Sequence, residues 1–335
     1  MELVKITMYG VRALEEPYFD RLNQDYFTCK YVRELLTHDN VVAAKGADAV
    51  LVRGNCVVDR QNLQQFADWG IRAVFTRSVG YNHLDLQAAA DLGITLARVP
   101  SYSPAAVAEL ALTLGLTLFR GVNVAADQTR QGNFTIGANL FSKEIRTATV
   151  GILGAGRIGL TEAKLYQGLG AQVFAYDPRP SQSAQATMTI VDLPELLAKS
   201  DIVSIHVPYF PGKNDNLIDP RFIAQMKSGA VLINTARGEL ADVTAILAAL
   251  NTGQLRGYGT DVFRDEGDLL GQEFEGSSDI PNVEARQLLA AHPQVLVTPH
   301  VGSFTEPALT DMIRMSYANF HDFFTTGHTV NEIHL

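Results

Sequence analysis

The chain has 335 residues, 47% of them hydrophobic, enough for more than one buried core and, at about 100–200 residues per domain, for two domains. Its 36 acidic against 27 basic residues leave a formal net charge of −9 with no concentrated basic patch, which makes nucleic acid and anionic membranes poor partners. The two cysteines, Cys29 and Cys56, form no Cys-x-x-Cys pair, so neither a redox dithiol nor a metal site is expected.

The chain opens on a strand-like run, 3–8, rather than on a basic segment followed by an apolar core. No signal peptide is expected, and the default compartment is the cytoplasm. Further β-rich runs follow at 49–52, 73–76 and 94–97. A boundary is expected near Tyr102-Ser103-Pro104, with Ser103 as N-cap and Pro104 in the first turn of a helix that runs to about Arg120. The apolar stretch 110–119 inside it has only ten residues, too few to span a bilayer. The Phe-containing segment 134–145 is a candidate dimer arm.

A second strand series is expected at 148–153, 172–176, 202–206, 230–234, 257–261 and 295–298, with helices at 158–169, 193–199, 220–226 and 243–250. The stretch 264–292 begins acidic and irregular, and reads as a long loop with a short helix; loops of that length are often functional. A last helix, 306–325, returns to the first domain. Alternating helices and continuous apolar strands give an α/β protein of two doubly wound parallel-sheet domains. One comprises 1–102 plus 301–335 and is discontinuous; the other, 103–300, is inserted into it.

The run Thr149-Val150-Gly151-Ile152-Leu153-Gly154-Ala155-Gly156-Arg157-Ile158-Gly159 has the order strand, Gly-x-Gly-x-x-Gly, helix. Gly154 permits the tight turn, Gly156 lets the backbone approach a pyrophosphate, and Gly159 lets helix and strand pack closely. Asp177 ends the next strand, 23 residues after Gly154. A carboxylate there can accept bonds from ribose hydroxyls and repel a 2′-phosphate, which favours NAD over NADP. Arg179, two residues on, could meet a 2′-phosphate if the loop turned inward.

Three polar residues follow strand-like segments of the same domain: Arg237, Glu266 and His300. In an open parallel sheet, ligands bind beyond the carboxyl ends of the strands, so these side chains would share a crevice with the cofactor. Reduction of a 2-oxo acid needs a proton donor for the developing alkoxide and a cation for the carboxylate. His300 suits the first role, with Glu266 fixing its charge and tautomer. Arg237 suits the second, as a planar fork. Taken singly, a surface arginine, a solvated loop glutamate and a capping histidine are commoner than catalytic ones.

At this point the chain resembles the D-2-hydroxyacid dehydrogenase family. The resemblance rests on residues 154–159, Asp177, His206-Val207-Pro208, Asn234-Thr235-Ala236-Arg237-Gly238-Glu239-Leu240, Asp261-Val262 and Thr298-Pro299-His300. In the first domain it adds Thr76-Arg77-Ser78-Val79-Gly80 and Val99-Pro100-Ser101-Tyr102-Ser103-Pro104. It implies a flavodoxin-like substrate domain, an inserted Rossmann NAD domain, hinge closure over the ligand and a homodimer. It further implies that Arg237 holds the substrate, a small 2-oxo or 2-hydroxy acid, while Glu266 and His300 form the acid/base pair. The amides around Ser78, Val79 and Gly80 would take the substrate carboxylate, and Tyr102 would line the pocket. Arg157, Ile158, His206, Val207, Pro208, Thr235 and Ala236 would contact the cofactor, and Asp261 would support the nicotinamide or the arginine. Asp265 directly precedes Glu266, and spacing favours the latter. Formate dehydrogenases of the same fold pair their histidine with glutamine, which this chain does not have at 266.

Within the family the likeness is to the D-lactate, D-2-hydroxyisocaproate and (R)-2-hydroxyglutarate dehydrogenase group. Arg53, in Arg53-Gly54-Asn55-Cys56 after the strand at 49–52, would suit a dicarboxylate such as 2-oxoglutarate unless it pairs with a neighbouring carboxylate. Ser303 stands where D-lactate-type relatives often place an aromatic residue. Phe304 and Tyr102 leave phenylpyruvate and branched 2-oxo acids open, and pyruvate/D-lactate remains a candidate pair. Two other readings are an NAD(H)-sensing binding protein of the same fold and an NADP-dependent glyoxylate or hydroxypyruvate reductase.

Overall fold

Short runs such as Ala-Val-Leu-Val and Ala-Val-Phe-Thr carry apolar side chains on both faces, which suits strands covered by helices on each side. The computed structural model describes residues 3–24 and 27–335, and these fall into two units: Met1–Ser103 with Phe304–Leu335, and Pro104–Ser303.

In the first unit, strands β1 (Lys5–Tyr9), β2 (Thr28–Val32), β3 (Ala49–Val52), β4 (Ala73–Thr76) and β5 (Thr95–Arg98) form one sheet in the order β2-β1-β3-β4-β5. Every pairing is parallel. This is the flavodoxin-like order, whose direction reverses between β1 and β3. Ile6, Met8, Leu51 and Phe75 pack on one face against Ile313, Tyr317 and Phe320 of the C-terminal helix Glu306–Thr326. Val50, Val74 and Leu96 pack on the other against Leu63, Phe66 and Ala88 of the helices Arg60–Asp68 and Leu86–Leu92. The first of these helices is largely polar, and each starts on an aspartate, Asp59 or Asp85, whose side chain accepts from a first-turn amide.

In the second unit, β6 (Thr149–Leu153), β7 (Gln172–Tyr176), β8 (Thr189–Ile190), β9 (Ile202–Ile205), β10 (Ala230–Asn234), β11 (Leu255–Thr260) and β12 (Val295–Val297) form a sheet of order β12-β11-β10-β9-β6-β7-β8. All of its pairings are parallel too. The first six strands have the Rossmann order, reversing between β6 and β9, and β12 extends the sheet past β11. Val150, Ile152, Val231 and Ile233 face Ala111, Leu114, Leu118 and Tyr166 of the helices Pro104–Phe119 and Arg157–Gly168. Leu153, Val203, Ile205 and Leu232 face Leu196, Leu197, Phe222 and Ile246. No single helix among the described residues is long and apolar enough to cross a membrane. The apolar helix Pro104–Phe119 passes such a test only jointly with Val122–Arg130, across a 62° bend, and it lies in the core of its unit.

Two strands have no counterpart in the sequence-based expectation. β2 is an edge strand with exposed Thr28 and Lys30, and β8 has two residues. Neither shows the continuous apolar run that marks a covered strand. Between 264 and 292 lie two short 3-10 turns, Glu266–Asp268 and Ser277–Asp279, and the helix Val283–Ala290.

Candidate active site

The fingerprint loop follows β6 at the reversal point of the second sheet. Gly154 has φ +100, and a Cβ there would lie 2.8 Å from the His206 carbonyl carbon and oxygen. A Cβ on Gly159 would lie 2.2 Å from the Gly154 oxygen. Only glycine fits either place. Gly156, by contrast, faces open space. It is also the N-cap of the helix Arg157–Gly168, with no side chain capping that end. The first amides of the helix, those of Arg157 and Ile158 among them, lack intrahelical acceptors, which makes this turn a cradle for a pyrophosphate.

Asp177 closes β7 beside it. Its carboxylate accepts from the Ala155 amide at 2.9 Å and the Arg179 amide at 2.8 Å. One lone pair on each oxygen is left for a ribose diol. Across the reversal point, Thr235 is buried and its hydroxyl has no partner, an orphan of the kind a bound polar ligand satisfies. The adjacent Ala236 amide is held by Asn234 Oδ1 at 3.1 Å. These features fit a dinucleotide.

The ring of His206 is turned inward. Its side chain is 2% exposed and lies under the fingerprint helix, with Nε2 against the wholly buried Glu162 and 3.1 Å from Ser204 Oγ. The imidazole therefore points into the unit's interior, and the residue borders the cofactor loop through its backbone at Gly154. The next two residues are half-buried Val207 and exposed Pro208.

Arg237, Glu266 and His300 stand on the loops that follow β10, β11 and β12, three neighbours in the sheet. Asn234 ends β10 and clamps its loop, Nδ2 donating to the Arg237 carbonyl at 2.9 Å. The Arg237 guanidinium is half-buried and donates from Nη1 to the Ala236 carbonyl at 2.6 Å. Gly238 lets this loop lie against the next one, since a Cβ there would be 2.0 Å from the Phe263 carbonyl carbon. On that second loop, Asp265 takes φ +52 and is exposed, while Glu266 turns inward. Its Oε1 is 2.6 Å from His300 Nδ1, with the two side chains 16% and 34% exposed. The other ring nitrogen of His300 is left for a ligand.

His300 has φ +54, a conformation that residues other than glycine adopt uncommonly. Asp261, 2% exposed, holds the turn. It accepts from Thr298 Oγ1 at 2.5 Å, from the Val301 amide at 2.8 Å and from the Gly302 amide at 2.8 Å. Burial raises its carboxyl above the usual range even though these three donors and His300 pull the other way. The structure thus gives Asp261 a positioning task on the histidine loop. Ser303, half-buried, closes this unit.

In the first unit, Ser78, Val79 and Gly80 follow β4, and their amides donate to no described residue. The Ser78 hydroxyl donates to the Gly80 carbonyl at 2.7 Å and sits 2.7 Å from Thr76 Oγ1, which in turn is 3.3 Å from His83 Nε2. Free amides on a braced turn form an anion-binding concavity. Tyr102 is half-buried in the same unit. Arg53 follows β3 at the reversal between β1 and β3. Its carbonyl accepts from the Cys56 amide at 3.2 Å, but among the described residues its guanidinium has neither a carboxylate partner nor a hydrogen bond. Glu15, the acid nearby, is taken by Arg77 at 2.8 Å and Arg12 at 3.4 Å. Burial, then the charges of Arg12 and Arg77, push Arg53 down to about 10; it stays charged at neutral pH. Arg12 stacks over Phe304, 4.5 Å from its centroid. Sequence reasoning gave Asn234, Gly238, Arg12 and His83 no role. Asn at a strand end before a turn is the one local signal that was available.

Residues 112–302 match the family model described as "D-isomer specific 2-hydroxyacid dehydrogenase, NAD binding domain". The 2-hydroxyacid dehydrogenase A of Aspergillus oryzae is 37% identical over 328 residues, 96% of this chain and 92% of that protein. The D-2-hydroxyacid dehydrogenase (NAD+) of Lacticaseibacillus paracasei is 35% identical over 332 residues, 98% of each. Among solved structures, a D-2-hydroxyisocaproate dehydrogenase superposes with a TM-score of 0.88 at 35% identity, covering 98% of this chain and 99% of that one.

Proposed function

The chain belongs to the D-isomer specific 2-hydroxyacid dehydrogenase family of NAD-dependent oxidoreductases, and from that premise we propose that it reduces a 2-oxo dicarboxylic acid, such as 2-oxoglutarate, to the (R)-2-hydroxy acid and catalyses the reverse. NADH supplies the hydride from its nicotinamide. The observation that carries the acid/base assignment is the 2.6 Å contact of Glu266 with His300 Nδ1 on loops of adjacent strands. With Nδ1 so engaged, His300 holds the transferable proton at Nε2 and delivers it to the alkoxide oxygen. Glu266 fixes the ring's tautomer and orientation. The Arg237 fork polarises the carbonyl and draws on the 1-carboxylate. In the first unit, the amides of Ser78, Val79 and Gly80, with no acceptor among the described residues, form a turn that suits a carboxylate.

Arg53 supports the choice of a dicarboxylate. A half-buried guanidinium without a partner is costly unless a ligand anion meets it, and this one stands at the reversal point of its sheet, where such folds bind ligands. Pyruvate, giving D-lactate, is the second reading, because a monocarboxylate needs no second cation such as Arg53. We further propose a homodimer, supported by the exposed side chains of Phe134, Ile136 and Phe141, at 78%, 92% and 85%.

NADH oxidation with a panel of 2-oxo acids, for wild type and Arg53→Ala, tests the proposal. Loss of one charge-assisted contact, about 1.5–3 kcal/mol, is expected to lower kcat/KM for 2-oxoglutarate about ten- to a hundredfold. Pyruvate turnover should stay near the wild-type value. Equal losses on both substrates would remove the role of Arg53, and no turnover of any 2-oxo acid would remove the reaction.

A further inference from the structure

Arg98 ends β5 directly across from Thr76, the last residue of β4. That register sets it beside the turn of Ser78, Val79 and Gly80. Its backbone is held on both sides: the amide donates to the Asn331 carbonyl at 3.1 Å, and the carbonyl accepts from Asn319 Nδ2 at 3.0 Å. Asn319 Oδ1 in turn accepts from Thr329 Oγ1 and Asn331 Nδ2. From this fixed base the half-buried side chain crosses to the turn after β4, where Nη1 donates to the Val79 carbonyl at 3.0 Å. The guanidinium also lies 5.1 Å from the centroid of the Tyr81 ring, and this stack restrains the plane of the fork.

The peptide between Val79 and Gly80 is planar and trans, so its carbonyl and its N–H point in opposite directions. A carbonyl anchored on Arg98 turns the Gly80 N–H away from Arg98. The Gly80 carbonyl is anchored in the same way by the Ser78 hydroxyl at 2.7 Å. Two consecutive peptide planes are thereby fixed, and the amides they present have no acceptor among the described residues.

We propose that Arg98 is a positioning residue for substrate binding: it touches no reacting atom and sets the orientation of the Gly80 amide that receives the substrate carboxylate. The proposal rests on the reading of this turn as the carboxylate site. A turn with a freely rotating Val79–Gly80 peptide would present a carbonyl oxygen to the anion for part of the time, and would bind it more weakly.

The test compares wild type with Arg98→Gln and Arg98→Lys, using the 2-oxo acid that wild type turns over best. Arg98→Gln is expected to raise KM for the acid about tenfold, the effect of losing one charged donor. Its kcat should remain within about threefold, and its Kd for NADH, read by fluorescence, unchanged. Arg98→Lys keeps a charged donor and is expected to recover part of the loss. Methyl pyruvate, which lacks the carboxylate charge, is expected to lose less than pyruvate does in the Gln variant. An unchanged KM in a folded Arg98→Gln protein overturns the proposal, and so does a parallel fall of kcat, NADH affinity and melting temperature. Failure of the wild type on every 2-oxo acid is a different result, because it removes the underlying reaction.

Discussion

Asp261 accepts a hydrogen bond from the Val301 amide at 2.8 Å, so the carboxylate that ends one strand grips the residue just past His300 on the next loop. With the Gly302 amide and the Thr298 hydroxyl also bound, it offsets the φ of +54 at His300, a backbone strain of about 1–3 kcal/mol. Asp261→Asn replaces one accepting oxygen with an NH2 group that faces donors. At least one charged bond is lost, about 1.5–3 kcal/mol, and kcat is expected to fall about ten- to a hundredfold. NADH affinity should change less, because the Gly156 and Asp177 elements are untouched. Steady-state rates and NADH titration of the same variant check this, and a wild-type kcat would show that the loop holds its shape by other means.

Gly238 makes the corresponding claim about Arg237. A Cβ at this position would sit 2.0 Å from the Phe263 carbonyl carbon and 2.2 Å from the Arg264 nitrogen, both backbone atoms with no rotamer to yield. Gly238→Ala must push the Arg237 and Glu266 loops apart. A loss of stability of about 1–3 kcal/mol is expected, together with a fall in kcat/KM larger than the stability loss alone explains at assay temperature. Chemical denaturation and kinetics measured on one preparation separate the two effects. A variant as stable and as active as wild type would mean that the loops are not in contact in solution.

The parts of this molecule that were legible in sequence are those where one local requirement dominates. Runs apolar on both faces gave the covered strands, and the glycine spacing after β6 located the dinucleotide turn because the helix behind it needs those glycines. Arg237, Glu266 and His300 could be read because each follows a strand of the same series. Edge strands were missed: β2 is half exposed and β8 is two residues long, so neither needs an apolar run. The direction of the His206 ring was not legible, because a histidine in a cofactor motif looks the same whether its ring faces a ligand or a buried carboxylate. Here Glu162, wholly buried 44 residues earlier, draws it inward. Arg98 and Gly238 act on residues 19 and about 25 positions away in the chain, which no local pattern records.

Asp177 is expected to govern the choice of dinucleotide. Two backbone amides already neutralise part of its charge, yet its remaining lone pairs suit ribose hydroxyls and its charge opposes a 2′-phosphate. Asp177→Ala is expected to raise KM for NADH about ten- to a hundredfold, as one charge-assisted contact would. It should also improve kcat/KM for NADPH, with the exposed Arg179 now the dominant charge at this edge. Side-by-side kinetics with the two cofactors decide it, and an unaltered preference would place the discrimination elsewhere.

His83 links the carboxylate turn to pH. It lies behind Ser78 through Thr76, and burial pushes its imidazole down from its ordinary 6.5 to about 4. The folded protein therefore keeps this ring neutral across a range in which the unfolded chain protonates it. Because the unfolded state binds the extra proton, stability is full above about pH 6.5 and falls as pH drops toward about 4. The displacement corresponds to at most about 3 kcal/mol. His83→Gln, which carries no titrating group, is expected to remove that part of the slope while the carboxylates of the rest of the chain keep theirs. Urea denaturation of both proteins at several pH values between these limits measures the difference directly. Parallel curves would mean that His83 is solvated in solution and does not brace the turn in a neutral form.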